Sequence, residues 1–347
     1  MALFHIYKHY THYFYIKYHV LQHTIFTELT AQIFMSHVLQ NQITAQLFTP
    51  KNTNTMNKIR SIEQIIAPSA PHLVGTDFSV HTIFPDAWEM HRERMSPFFL
   101  LDYGSKAASA PIESPRRVGV YPHQGLETVT IAYHGKVALH TGAAHPEVIE
   151  KGEVQWLTAE AGILHKKYYE AEAEKAGGEF HMIQLCVHLP SNYKKRVSKH
   201  QSIRREELGQ AVLPDGKGVV EIIAGNFNKS AGPRMPFSPI EMYNARLKKG
   251  AKVHFSFPEN YNTGFMIIEG AVTVNEQTAT ANHFILFAND GTDIYMEATK
   301  ESIVLILSGE PMQEPIEPYS PFVINSKQEI VDAYDDWNNG TFGYLRE

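Results

Sequence analysis

The sequence is poor in cysteine and has no long hydrophobic run. Its single cysteine, Cys186, excludes a disulfide framework within the chain and is typical of a reducing compartment. No run of about 18 apolar residues occurs without an interrupting Lys, His or Gln, so no membrane span is predicted. The net charge of −6 lacks the basic footprint of a nucleic-acid-binding domain. We therefore expect a cytoplasmic protein with neither a membrane nor a nucleic-acid partner.

The first part of the chain lacks glycine and arginine. Residues 1–74 contain no glycine, although the whole chain has 22, and no arginine precedes Met56. A secretory signal needs a continuous apolar core and a mitochondrial presequence needs arginine, and neither is present. Six of the 19 histidines lie before Met56, but their spacing forms no recurring chelating unit. We predict that residues 1–55 lie outside the folded body, as translation from upstream of a start at Met56 would produce.

The rest of the chain has the pattern of many short strands. Apolar runs separated by glycine and polar turns recur at roughly ten-residue spacing, which is typical of a β-sandwich or barrel. Residues 181–189 and 252–257 alternate with a period of two, as half-buried strands do. Helices are predicted only over 167–178, in the basic stretch near 194–207, and after the capping box Ser326–Glu329. The last helix should present Ile330, Val331, Tyr334 and Trp337 on one face and end at Gly340.

A faint internal repeat relates the two halves of this body. The run TVTIAYHGKV, with Gly135 at its turn, is similar to GFMIIEGAVTV, with Gly270 in the same role. The offset of 270 − 135 = 135 residues is about one domain, so the repeat predicts two similar β-barrels in tandem. His123 and His165 lie near strand ends of the first barrel and could meet across it. The second barrel has only His254 and His283 near comparable positions, so no metal site is predicted there.

Two longer motifs resemble the signatures of the pirin family. Residues 118–130, VGVYPHQGLETVT, resemble the first signature, and residues 152–165, GEVQWLTAEAGILH, resemble the second. Shorter matches occur at 99–103 and 321–325, and the resemblance runs from about Met56 to Leu345. It implies an all-β fold of two tandem cupin domains, which are jelly-roll β-barrels, with a C-terminal helix. The implied organisation is an extension (1–55), an N-terminal cupin (56–190), a linker (191–215) and a C-terminal cupin (216–347).

The resemblance also implies a metal centre in the first barrel. Pirins hold a non-haem iron there through a His-x-His pair and a His-x-Glu pair, and the family is associated with quercetin 2,3-dioxygenase activity and with co-regulation of transcription. The four ligand positions fall on Tyr121, His123, His165 and Lys167. Only the two histidines match the family pattern, so the substitutions are concentrated around the metal.

The two departures differ in consequence. A protonated lysine has no free lone pair, so Lys167 cannot be a ligand unless it loses its proton, and it could instead turn outward to Glu170 or Glu174. A tyrosine phenolate can bind ferric iron, so Tyr121 could still serve. Glu127, four residues after His123, is the candidate for a substitute carboxylate.

Three functions follow from these alternatives. The first is a pirin-like protein with a degraded metal site and a binding or regulatory role, taking a small aromatic ligand in the N-terminal cavity or a protein partner. The second is a quercetin 2,3-dioxygenase-type enzyme whose Fe(II) or other divalent metal is held by His123, His165 and either Glu127 or Tyr121. The third is a transcription co-regulator. The basic cluster for it, between Lys194 and Arg205, is followed at once by two glutamates and is interpreted as a solvated linker.

Overall fold

The computed structural model describes most of the chain after residue 57. The described residues are 58–74, 78–85, 92–109, 119–142, 145–169, 178–194, 198–314, 317–319 and 322–345. Asn57–Glu347 forms one compact unit. The predicted extension, 1–55, lies outside the described residues.

Antiparallel strands make up most of this unit. The strands of its first half are β1 (Ile62–Ile66), β2 (His72–Val74), β3 (Phe78–Phe84), β4 (Phe98–Ser109), β5 (Tyr121–His123), β6 (Leu126–His134), β7 (Val137–Thr141), β8 (Glu147–Ile149), β9 (Val154–Ala159), β10 (Ile163–Tyr169), β11 (Gly178–His188) and β12 (Lys199–Ile203). Those of its second half are β13 (Gly209–Val212), β14 (Gly218–Ala224), β15 (Asn226–Phe227), β16 (Ser230–Ala231), β17 (Ile240–Leu247), β18 (Lys252–Ser256), β19 (Asn262–Glu269), β20 (Ala271–Val274), β21 (Gln277–Thr280), β22 (Phe284–Phe287), β23 (Asp293–Ala298), β24 (Ser302–Gly309), β25 (Glu317–Tyr319) and β26 (Phe322–Ile324). Helix α1 (Lys327–Asn338) follows β26, and short 3-10 helices span Arg92–Met95, Ser191–Tyr193 and Arg205–Glu207.

The strands form two sandwiches, each made of one seven-stranded and one four-stranded sheet. In the first, a seven-stranded sheet in the order β12-β9-β6-β11-β4-β3-β2 accompanies a four-stranded sheet, β5-β10-β7-β8. In the second, the seven-stranded sheet is β1-β22-β19-β24-β17-β14-β13 and the four-stranded sheet is β18-β23-β20-β21. Apolar side chains from both sheets of each sandwich pack together. The expectation of an all-β protein with two tandem cupin barrels and a C-terminal helix is confirmed.

The hairpin glycines of the internal repeat occupy equivalent turns. Gly135 lies between β6 and β7 with φ +77°, and Gly270 lies between β19 and β20 with φ +83°. A Cβ on Gly270 would lie 2.1 Å from the Glu301 carbonyl oxygen, and one on Gly135 would lie 3.0 Å from that of Glu179. Both positive φ and close backbone approach therefore require glycine at these turns.

The interiors of the two barrels differ. The second barrel is filled by a cluster that includes Tyr243, Phe255, Phe265 and Phe287. The first barrel has an interior cluster of only six buried apolar residues in the described chain: Phe78, Ala132, Val137, Leu139, Ile149 and Met182. A third cluster lies between the two seven-stranded sheets and draws Trp156 and Tyr103 from one and Met242 and Leu305 from the other. The interior of the first barrel is thus less completely filled by apolar side chains than that of the second.

Each end of the compact unit packs on the barrel formed by the other half of the chain: the N-terminal strand on the second barrel and the C-terminal helix on the first. Strand β1 pairs with β22 of the second barrel, although residues 56–190 were assigned to the first. Phe322 of β26 and Tyr334 of α1 pack with Leu164 of the first. Strand β12, inside the predicted linker, pairs with β9 and extends the first barrel's large sheet. The sequence-based divisions therefore do not coincide with the sheets, because strand pairing is decided between distant segments.

Helix α1 begins as predicted. The Ser326 hydroxyl accepts a hydrogen bond from the Glu329 backbone N–H, and the helix ends at Asn338. The inward face consists of Ile330, Ala333 and Tyr334. Val331 and Trp337, which were expected on that face, are 52 % and 38 % exposed.

The helix predicted over 167–178 is wrong at its start. Lys167 and Tyr169 belong to strand β10, which pairs with β7, and residues 170–177 lie outside the described residues. The helical periodicity of this segment was overridden by pairing within the sheet, which buries Lys167.

Candidate functional site

A partly open cavity of about 1050 Å³ extends from the interior of the first barrel to second-barrel residues such as Asn262 and Asn289. Its wall contains all four positions at which the family resemblance implies metal ligands: Tyr121, His123, His165 and Lys167. Strands β5 and β10 pair with Tyr121 opposite His165. Because side chains two residues apart on a strand point to the same face, the pairing directs all four side chains inward.

The two histidines lie side by side. The ring centroids of His123 and His165 are 5.7 Å apart. His165 is buried, its Nδ1 lies 3.1 Å from the Thr141 hydroxyl, and its Nε2 has no hydrogen-bond partner among the described residues. Burial, reinforced by His123 and then Lys167, holds the pKa of His165 well below its usual value. The His165 imidazole is therefore neutral at pH 7 and directs a polar atom into the cavity.

Lys167 is turned into the cavity and is only 8 % exposed. Its ammonium donates a hydrogen bond to Gln184 Oε1, which also accepts one from the Thr130 hydroxyl at 2.8 Å. Burial lowers the pKa of Lys167 to about 8, and the Asp102 carboxylate opposes that shift. Most Lys167 side chains are thus cationic at pH 7, and the outward turn towards Glu170 or Glu174 is not seen.

Glu127 does not face this cavity. Its Oε1 accepts hydrogen bonds from Trp156 Nε1, Thr158 Oγ1 and Arg234 Nη2, each at 2.8 Å. Arg234 also lies over the Trp156 ring, with 5.2 Å from the guanidinium carbon to the ring centroid. The alternative His123/His165/Glu127 set is therefore not assembled here, because the Glu127 side chain is held by the Arg234 cation on the other face of β6.

These residues do not fit the family's metal. The inward donors at the four positions are two imidazoles, a phenol and an ammonium, whereas the oxygenase facial triad needs two histidines and a carboxylate. A charged Lys167 about 4 Å from a dication would contribute about 8 kcal/mol of repulsion at an effective dielectric of 20. Asp102 is one of the carboxylates in the cavity wall, and its Oδ1 accepts a hydrogen bond from the Thr82 hydroxyl.

Sequence reasoning missed Asp102 and Gln184 as parts of this cavity. Asp102 lies within the 99–103 motif, so the position was visible but its role was not. Met182, Gln184 and Cys186 lie at every second position of β11, and all three line the cavity. The period of two in that strand could have identified them as one inward face.

A second group of metal-binding residue types lies where the barrels meet. His134, His181 and Glu269 each offer a ligand atom, and these atoms lie within 4.8 Å of one another. No sequence motif indicated this group. The internal repeat was the available signal, since His134 and Glu269 precede the equivalent glycines Gly135 and Gly270.

Three residues of the basic cluster, Lys194, Arg204 and Arg205, have partners within the described part of the protein. Lys194 is buried and its Nζ lies 3.2 Å from His188 Nε2. Arg205 pairs with Glu221 at 2.7 Å, and Arg204 with Glu207 at 3.4 Å.

Among the described residues, no helix has both the length and the apolar character of a membrane span.

The fold and cavity define a two-cupin protein with one hollow and one filled barrel. The chain belongs to the pirin family: residues 77–187 match the family description Pirin, and residues 242–343 match the Pirin C-terminal cupin domain. This agrees with the resemblance carried by the two signature motifs.

Relatives extend over nearly the whole compact unit. A Pseudomonas aeruginosa protein named as a candidate quercetin 2,3-dioxygenase is 35 % identical over 78 % of this chain and 94 % of its own length. Pirin-1 of Arabidopsis thaliana is 30 % identical over 74 % of this chain and 86 % of its own. The crystal structure of a quercetin 2,3-dioxygenase from Acinetobacter baumannii is 34 % identical, has a TM-score of 0.77, and covers 83 % of this chain and all of that one.

Proposed function

We propose that this pirin-family protein binds a small aromatic ligand in the cavity of its first cupin barrel, in a binding or regulatory role that does not use the family's metal. The observation that carries this proposal is the position of Lys167. A buried cation lies in the cavity at the place where the family has a metal-binding carboxylate.

The chemistry of the cavity supports an aromatic ligand with an acidic or phenolic oxygen. Ligand cavities of about 300–1000 Å³, mostly apolar with a few directed polar groups, are typical of small-molecule sites. Here the apolar wall includes Phe78, Phe99, Leu100, Leu126 and Met182. The Lys167 ammonium can pair with an anionic oxygen, and His165 Nε2 can form a hydrogen bond to a neighbouring polar group.

Titration of the full chain with quercetin, followed by intrinsic fluorescence and calorimetry, tests this proposal. Lys167→Met keeps the length of the side chain and removes its charge, and we expect it to weaken binding about tenfold, as a lost charge-assisted hydrogen bond would. Lys136→Met is the matched control, since Lys136 is an exposed lysine that pairs with Glu150. No saturable binding, or equal affinity in wild type and Lys167→Met, would contradict the proposal.

A metal-dependent quercetin 2,3-dioxygenase is the second candidate. It is favoured by the names of relatives that are 34–35 % identical, and by the unpartnered Nε2 of His165 beside His123. With Glu127 engaged by Arg234, the ligands would be His123, His165 and Tyr121. Metal analysis together with O₂ uptake in the presence of quercetin separates the two candidates. About one Fe(II) or other divalent metal per chain, lost in both His123→Ala and His165→Ala and required for O₂ uptake, would favour the enzyme.

A further inference from the structure

We propose that His134, His181 and Glu269 bind a zinc-class divalent metal ion at the junction of the two cupin barrels. His134 and His181 come from the adjacent strands β6 and β11 of the first barrel, and Glu269 comes from β19 of the second. His134 Nε2 lies 2.7 Å from Glu269 Oε1, and His181 Nδ1 lies 3.7 Å from the same oxygen. All three ligand atoms thus converge on one point.

The far nitrogen of each histidine has a partner that orients the ring. His181 Nε2 lies 2.8 Å from the Tyr103 hydroxyl, which itself donates a hydrogen bond to Asn282 Oδ1 at 2.6 Å. Because the Tyr103 proton is directed to Asn282, Tyr103 accepts from His181 Nε2–H. In the neutral imidazole the lone pair is then on Nδ1, the atom that faces Glu269.

His134 has a carboxylate behind it at longer range. Its Nδ1 lies 3.7 Å from Glu179 Oε2, while its Nε2 faces Glu269. A carboxylate or other acceptor behind a ligating histidine is the usual arrangement around protein metal ions, because it holds the ring and raises the basicity of the ligand atom. Both histidines therefore present one nitrogen to a common point; the other nitrogen is hydrogen-bonded in His181 and faces the Glu179 carboxylate in His134.

The donor set fits zinc. Two imidazole nitrogens and one carboxylate oxygen, with water in the fourth position, form a known tetrahedral set for Zn²⁺. Entry from solvent is open because Glu269 and His134 are partly exposed, at 31 % and 16 % of their side-chain surface, whereas His181 is fully buried.

The site would join the two barrels. Two ligands belong to one barrel and the third to the other, so an ion held only in the folded state would stabilise their junction. The first-barrel cavity is separate from this site, since none of the three ligands contributes to the cavity wall. The inference is therefore independent of the proposed ligand and of any metal at His123 and His165.

Zinc stoichiometry measured with Zn²⁺ alone is the test. The full chain, stripped with a chelator, is dialysed against buffered free Zn²⁺ and analysed by mass spectrometry of the metal. The histidines before Met56 contribute a common background, so the result is the difference between variants. We expect Glu269→Gln and His134→Gln each to bind about one Zn²⁺ fewer than wild type. His254→Gln is the matched control, since His254 forms a 2.9 Å pair with Asp293 outside the cluster and should retain the full number.

Two further measurements distinguish a metal site from a simple hydrogen-bonded contact. Glu179→Ala alters an exposed residue that orients His134, and we expect it to weaken this Zn²⁺ affinity about tenfold without changing the stoichiometry. Zn²⁺ should raise the Tm of wild type and of His123→Ala/His165→Ala, but not that of Glu269→Gln. Equal stoichiometry and equal Zn²⁺-induced Tm shifts in wild type and Glu269→Gln would overturn the proposal.

Discussion

His134 and Glu269 are separated by 135 residues along the chain, and their side chains meet at 2.7 Å. Each immediately precedes the glycine of an equivalent hairpin, Gly135 or Gly270, so the contact joins equivalent points of the two halves. The repeat therefore places the ends of β6 and β19 against each other. A contact between residues of one repeat unit and its copy is what permits a site shared by both barrels.

Restoring the carboxylate should restore metal binding in the first barrel. In Lys167→Glu the repulsive cation is replaced by an anionic ligand beside His123 and His165, which completes the facial triad. We expect about one additional equivalent of Fe(II) or Ni(II) per chain relative to wild type, measured by metal analysis after anaerobic reconstitution. Lys136→Glu is the control for added negative charge. If Lys167→Glu takes up no more metal than this control, the assignment of position 167 as a ligand position is wrong.

The lowered pKa of Lys167 predicts a specific pH dependence of stability. Since this pKa falls from 10.5 in the unfolded chain to about 8 in the fold, the unfolded state binds more protons between these values. The contribution of Lys167 to the free energy of unfolding therefore rises as pH increases from about 8 to 10.5, and this contribution is lowest below pH 8. The shift corresponds to at most about 3 kcal/mol.

Comparison with Lys167→Met isolates that contribution. Urea unfolding at several pH values should show wild type gaining stability relative to Lys167→Met from pH 8 to 10.5. Taking the difference between the two proteins cancels other titrating groups, including Lys194, whose pKa is also lowered by burial. A difference that does not change with pH would show that Lys167 is not held in this buried state.

The Glu127–Arg234 pair should matter for stability and not for the cavity. Arg234→Met would leave the fully buried Glu127 carboxylate without its cation, and removal of one partner of a buried pair costs about 3–5 kcal/mol. We expect that loss in urea unfolding, and a smaller one for Glu127→Gln. Metal content and quercetin affinity of Glu127→Gln should equal those of wild type. A drop in either would place Glu127 at the cavity after all.

Replacing the hairpin glycine of the second barrel, Gly270, by alanine should lower the free energy of unfolding more than the same change at the solvent-facing Gly340. A Cβ on Gly270 would clash with the Glu301 carbonyl, whereas a Cβ on Gly340, with a similar φ of +75°, meets nothing within 4 Å. Gly340→Ala should cost about 1 kcal/mol from backbone strain alone, and Gly270→Ala clearly more. Thermal unfolding of the two variants checks this, and equal losses would show that the turn relaxes without cost.

Local patterns in the sequence predicted a large part of the fold. Alternation and turn spacing located strands such as β11 and β18, and the capping box located the start of α1. Local patterns failed where pairing between distant strands determines the secondary structure. Lys167 belongs to β10 because β10 pairs with β7, and β12, inside the predicted linker, pairs with β9. Helical or linker character in a short segment is a weak preference that sheet pairing overrides.

The sequence by itself determined the family, the two-barrel architecture and the loss of two ligand positions, since these follow directly from motifs and residue identities. Only the tertiary structure decided the directions of the side chains. It turned Lys167 towards Gln184, turned Glu127 towards Arg234, and left the first barrel hollow while aromatic residues filled the second. It also brought Glu269 to His134 and His181. These outcomes depend on which distant strands pair and on which buried charges find partners, and neither is encoded in local periodicity.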